Sequence, residues 1–103
     1  MTQQAYTRAV RTLYLNLPHT SHRFSHSDRQ LAQHLYQRGI PLDTLHAALL
    51  LATLRRLSRD PAAAPLQPVR SLHYFVPVLD ELLLQPFPGG YLHYLESKLK
   101  KCS

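Results

Sequence analysis

The chain contains no tryptophan, three glycines and one cysteine, Cys102, and each scarcity removes a class of protein. A single cysteine allows no internal disulfide, so a disulfide-stapled secreted scaffold is excluded and a reducing compartment is expected. Three glycines leave too few turns for a sandwich or barrel of many short strands. They also form no phosphate-cradling loop, because Gly89-Gly90 lacks the lysine and the preceding strand. Carboxylates are few as well, and the adjacent Asp80 and Glu81 would project about 100° apart on a helix, which is no acid–base dyad. Cys102 has no implied pocket to activate it. With no catalytic constellation, the chain is expected not to be an enzyme and to need no cofactor. Long apolar runs are absent too. The longest, Leu45 to Leu54, is interrupted by His46 and Thr53 and falls far short of the roughly 20 residues of a membrane span. The opening MTQQAYTRAV has no apolar signal-peptide core. A cytoplasmic protein without a membrane partner is expected.

What is present points to helices. In 103 residues, 45% are hydrophobic, enough for one domain with a core. The apolar residues are mainly Leu and Ala, which lose little rotamer freedom in a helix. Tyr6, Val10, Leu13, Tyr14 and Leu17 form one helical stripe between Thr2 and Leu17, and Pro18 stops it. Ser27-Asp28-Arg29-Gln30 matches a capping box for a second helix with Leu31, Ala32 and Leu35 on its buried face, ended by a left-handed Gly39. A third helix runs from Pro41 or Leu42 to about Arg59. It is apolar nearly all round and is therefore the expected central helix. Asp60 to Pro68 reads as a Pro/Ala crossover. Ser71 caps a fourth helix reaching about Leu84, with Leu72, Phe75, Val76, Leu79, Leu82 and Leu83 spaced for burial; Pro77 either kinks it, which the continuous apolar spacing favours, or starts the helix proper after a separate turn. After the Pro86–Gly90 turn, a last helix spans Tyr91 to about Lys101, with Leu92, Leu95 and Leu99 inward and 101–103 a frayed tail. The expected fold is all-α, a single-domain bundle of four to five helices over 1–103.

Charge is the main functional signal. The net charge is +6, and all but three of the twelve cations are arginine, whose planar fork matches phosphate. Nine of the cations form four groups: Arg8 and Arg11; Arg55, Arg56 and Arg59; Arg70; and Lys98, Lys100 and Lys101. If several share a face, they form a phosphate-tracking surface. Tyr74, Tyr91 and Tyr94 lie near the later groups, where they are placed to stack on bases. The same residues have a plainer use, with cations serving helix dipoles and tyrosines filling the core edge. Asp80 and Glu81 make an acidic spot within reach of Arg70. The spacing of His19, His22 and His26 is compatible with a metal, but no carboxylate or cysteine beside Asp28 completes a ligand set, and no metal is expected. The segment from Asp28 to Leu54 has the outline of a helix-turn-helix. Its second helix opens with Asp43 and continues in Ala and Leu, so two core helices are the better reading.

A resemblance gives a context. Asp28-Arg29, Leu31-Ala32, Ala48 to Ala52, Arg55-Arg56 and Pro65 to Leu82 together resemble a family of small uncharacterised bacterial proteins found near mobile-element recombinases or transposases. Ser71 to Leu82 is also similar to a helix of DnaD-like replication-initiation modules. Neither resemblance carries over a site residue; both imply a DNA-transaction setting. The function expected is therefore a non-catalytic nucleic-acid-binding accessory protein, on DNA before RNA, contacting phosphates through the cation groups above. The alternative is a helical adaptor or dimerisation module, in which surplus apolar surface on the third and fourth helices pairs two copies or docks a recombinase, transposase or replication protein.

Overall fold

The computed structural model describes residues 1–18, 20, 23–58, 62, 67–85 and 87–102, Cys102 by its backbone alone. Five α-helices make an all-α bundle: α1 (Gln3–Leu15), α2 (His26–Gln37), α3 (Leu42–Leu57), α4 (Val76–Leu84) and α5 (Tyr91–Cys102), with a 3₁₀ turn at Leu72–Phe75 leading into α4. The helix α3 is the hub, packed against α1, α4 and α5, while α2 lies on α1 and touches the 3₁₀ turn. Its central position follows from its composition. Leu45, Ala47, Ala48, Leu49, Leu50, Ala52, Thr53 and Leu54 are all buried, and small alanines let several neighbours approach at once. The buried Thr53 hydroxyl donates to the Leu49 carbonyl at 2.7 Å, which satisfies its polar group within the helix.

The α1 stripe is buried at Tyr6, Val10, Tyr14 and Leu17, with Leu13 half-buried at its edge. Tyr6 reaches under the α2–α3 turn, where its hydroxyl donates to the Ile40 carbonyl at 3.0 Å, and burial pushes its phenol above the usual range. That turn is made by Gly39 at φ +75°, a conformation that favours glycine, so the expected left-handed stop of α2 is present. Pro41 sits just outside α3 as its N-cap. At the far end, α5 is helical through Cys102.

Two expectations about helix starts are corrected. The capping box of α2 is Ser25 to Asp28, two residues earlier than Ser27 to Gln30: Asp28 N–H donates to Ser25 Oγ at 3.1 Å and Ser25 N–H to Asp28 Oδ2 at 3.0 Å. An aspartate at the third position supplies full charge to the helix N-terminus, which a glutamine cannot. The expected kink at Pro77 is also absent. Residues 72–75 instead form a tighter turn, and Pro77 stands in the first turn of α4, where its missing N–H leaves no bond unmade. Of the residues spaced for burial here, Leu72, Phe75 and Leu79 are buried, Val76 and Leu82 half-buried, and Leu83 exposed.

The polar key to the bundle is Asp28, which is fully buried. Besides capping α2, its Oδ1 accepts from the Leu72 amide at 2.9 Å and from the Ser71 hydroxyl at 2.9 Å. Ser71 Oγ lies 2.9 Å from His73 Nδ1. The array ties α2 to the 3₁₀ turn. An isolated parallel bridge from Thr20 to Val69 joins the preceding segments in the same region.

Burial alone would raise the Asp28 carboxyl. The hydrogen bonds from the Ser25 and Leu72 amides and from the Ser71 and Ser25 side chains outweigh it and hold the group below its ordinary value. A carboxylate depressed in the folded state contributes stability that is fully present above the unfolded value of about 3.9 and is lost as pH falls through the folded value. Thermal melts from neutral pH down to acid should therefore show a decline that Asp28→Asn flattens. Asp28→Ala, which leaves the buried Leu72 amide unpaired, should cost about 3 kcal/mol at neutral pH. Equal acid sensitivity of wild type and Asp28→Asn would show that other groups control it.

Candidate nucleic-acid interface

The structure sorts the expected cation groups by what their side chains already hold. Arg8 and Arg11, one turn apart on α1, are exposed and line a groove of about 470 Å³ between α1 and α2. The other lining residues are Gln3, Gln4, Thr7, Phe24, Arg29 and Gln33. Arg29 brings a third guanidinium from the first turn of α2. Its position follows from Asp28: when that residue points into the core, its successor projects about 100° around the helix, here into the groove. Phe24 forms a half-buried wall, its ring 6.0 Å from that of buried Tyr14. The lining contains no carboxylate, and none of the ion pairs among the described residues involves these three arginines. Three planar donors with neutral amides between them suit oxyanions on a flexible chain.

The second and third groups are engaged in the fold. Arg55 makes a two-pronged contact with Glu81 at 2.8 and 3.1 Å, bridging the end of α3 to α4. Glu81 therefore answers Arg55, and the expected pairing of the acidic spot with Arg70 is corrected: α3 and α4 pack together, which places Arg55 directly opposite. The shared bonds raise the Arg55 guanidinium and lower the Glu81 carboxyl. Both side chains are exposed, so the fork adds little to stability. Arg56 is half-buried. It donates to the Gln67 carbonyl at 2.6 Å and to the Tyr74 hydroxyl at 3.4 Å, and its guanidinium stands 5.3 Å from the Tyr74 ring centroid. Arg70 donates to the Gln67 side chain at 3.2 Å. Residues 67–70 are thus held against the end of α3. Arg59, His19 and His22 lie outside the described residues, as does most of the crossover at 60–68; His26 is the exposed first residue of α2.

The fourth group divides by helical phase. Lys98 and Lys101 line a shallow recess with Tyr94 and Ser97. Lys100 lines a different, mainly apolar groove of about 570 Å³ with Leu13, Leu17, Leu50 and Leu99, near His46, whose Nδ1 is 3.8 Å from Glu96. The second helix of the helix-turn-helix outline is α3, which is the hub of the bundle, with Leu45 and residues 47–50 buried and Asp43 exposed at its start.

Among the described residues, Arg8 and Arg11 share one lining with Arg29 across α1 and α2, and Arg29 was missed by sequence reading because periodicity does not say which helices are neighbours. Comparison with protein-family models, with curated proteins and with solved structures finds no match to this chain.

Arg56 and the α1 arginines should differ in what they do for stability. Arg56→Ala removes the contact with the Gln67 carbonyl and the ring contact with Tyr74 and should lower stability by about 1 kcal/mol, a fall of roughly 5 °C in thermal midpoint for a chain of this size. Arg11→Ala should leave the midpoint within a degree or two. A circular-dichroism melt of each variant checks this, and equal midpoints would mean that the Arg56 contacts hold nothing.

Proposed function

We propose that the chain is a non-catalytic nucleic-acid-binding accessory protein, set in a mobile-element or replication system, and that the α1–α2 groove is its phosphate-binding surface. The observation that carries this reading is the presence of Arg8, Arg11 and Arg29 on one groove whose lining holds no carboxylate, in a chain of net charge +6. Guanidinium forks donate to phosphate oxygens two at a time, and Gln3, Gln4 and Gln33 offer neutral hydrogen bonds to phosphate or sugar between them. Backbone contacts of this kind give affinity without sequence preference. DNA is the first substrate to test. Arg55, Arg56 and Arg70, being partnered within the fold, move from the expected contact set to a supporting one.

The adaptor reading retains one specific observation: Leu84 at the end of α4 is 82% exposed and Leu83 beside it 37%. A concentration-dependent mass in solution would favour it.

The arginine groove is tested by anisotropy titration of labelled DNA across a salt series. Replacing Arg8, Arg11 and Arg29 by Ala should weaken binding more than tenfold at low salt and reduce the slope of log K against log salt by up to about 3, with the melting temperature unchanged. Wild-type binding without salt dependence, or a folded triple variant that binds as well as wild type, would remove the groove from the interface.

A further inference from the structure

A second surface, on α5, has a different chemistry. Tyr94 is 54% exposed and lies outside the hydrophobic cluster, although Phe87 and Tyr91 pack against that cluster. The three rings form a row: Phe87 to Tyr91 at 5.4 Å between centroids, then Tyr91 to Tyr94 at 6.2 Å and 18° between planes. Lys98, one turn along, places Nζ 5.6 Å from the Tyr94 ring centroid and donates to the Tyr94 hydroxyl at 3.3 Å. Lys101 stands one turn further, lining the same recess. The inner two rings are explained by the core. Tyr94 is not, since its ring remains in water and its hydroxyl is engaged only at the surface.

We infer that Tyr94, backed by Tyr91 and followed along the helix by Lys98 and Lys101, is a stacking platform for an unpaired base, so that this face selects single-stranded nucleic acid over duplex. The inference rests on the nucleic-acid reading of the preceding section and adds the substrate class. A flat, half-exposed ring held by a nearly parallel neighbour is preorganised to receive a base, and stacking on it is tolerant of sequence because every base has a π-face. The two lysines, one and two turns along the helix from Tyr94, supply phosphate contacts to the strand on one side of the stacked nucleotide, and Lys98 exchanges its contact with Tyr94 for one with the backbone. A duplex keeps its base faces covered and presents only edges and phosphates. The arginine groove on α1 and α2 therefore serves both forms, and the α5 platform serves the open one.

The test uses fluorescein-labelled oligo(dT) of about 20 nucleotides and a duplex of equal length, titrated with the full chain. Tyr94→Ala should weaken oligo(dT) binding about tenfold and change duplex binding by less than about twofold. Tyr94→Phe should bind as wild type, and replacing Arg8, Arg11 and Arg29 by Ala should weaken both probes. As the chain has no tryptophan, its tyrosine emission also reports directly: oligo(dT) should quench it in the wild-type chain, whatever the folding of any variant. A folded Tyr94→Ala chain with unchanged oligo(dT) affinity, or saturation of wild type without quenching, overturns the platform and leaves the arginine groove standing. Failure of wild type to bind either probe at low salt overturns both.

Discussion

The carboxylate of Asp28 is removed from water, and a buried charge of this kind is tolerated only where donors surround it. Here they come from two places far apart in the chain. The Ser25 amide belongs to the start of α2, and the Leu72 amide and Ser71 hydroxyl to the turn before α4. One side chain thus determines where α2 begins and where the second half of the chain docks on it. The consequence reaches the surface, because α2 is turned so that Arg29 joins Arg8 and Arg11. The groove depends on a residue that does not line it.

The interior owes its shape to α3. A helix that is apolar on every side has no preferred face, so it gathers neighbours around itself, and α1, α4 and α5 each use a different part of its surface. Its alanines permit close approach and its leucines fill the gaps. The arginines begin where this apolar run ends. Arg55 and Arg56 stand where α3 emerges from the bundle, and emerging there they meet Glu81 on α4 and the backbone at Gln67. Their charge is directed inward to the fold as much as outward to solvent.

Helix periods and terminators were legible in the sequence. The Tyr6–Leu17 stripe, the glycine stop after α2 and the all-round hydrophobicity of α3 each follow from one element considered alone. The capping box was ambiguous, because Ser25-x-x-Asp28 and Ser27-x-x-Gln30 both satisfy the pattern. The choice was made by Leu72, whose amide needs Asp28 buried and which lies 44 residues away. Pro77 was ambiguous for a similar reason. The apolar spacing continues across it, and only the hydrogen bonds of residues 71–74 show that the turn before it is 3₁₀. The partnering of Glu81 with Arg55 and the arrival of Arg29 beside Arg8 require knowing which helices touch, and local periodicity carries no information on that.

A net charge of +6 is a property of the whole chain, but binding is a property of places, and these helices use their cations in two ways. Some are consumed: Arg55 by a carboxylate, Arg56 by a carbonyl and a ring, Arg70 by an amide. Others are displayed: Arg8, Arg11 and Arg29 on a polar groove, and Lys98 and Lys101 beside an exposed ring. The displayed sets differ in kind. Arginines among glutamines recognise charge and hydrogen-bonding geometry, which every phosphate backbone provides. Lysines around a tyrosine recognise charge beside a flat apolar face, which a nucleic acid provides only where its bases are unpaired. On the reading proposed above, two surfaces of different chemistry on one small bundle separate affinity from choice of strand, the groove taking any phosphate backbone and the exposed ring only an unpaired base.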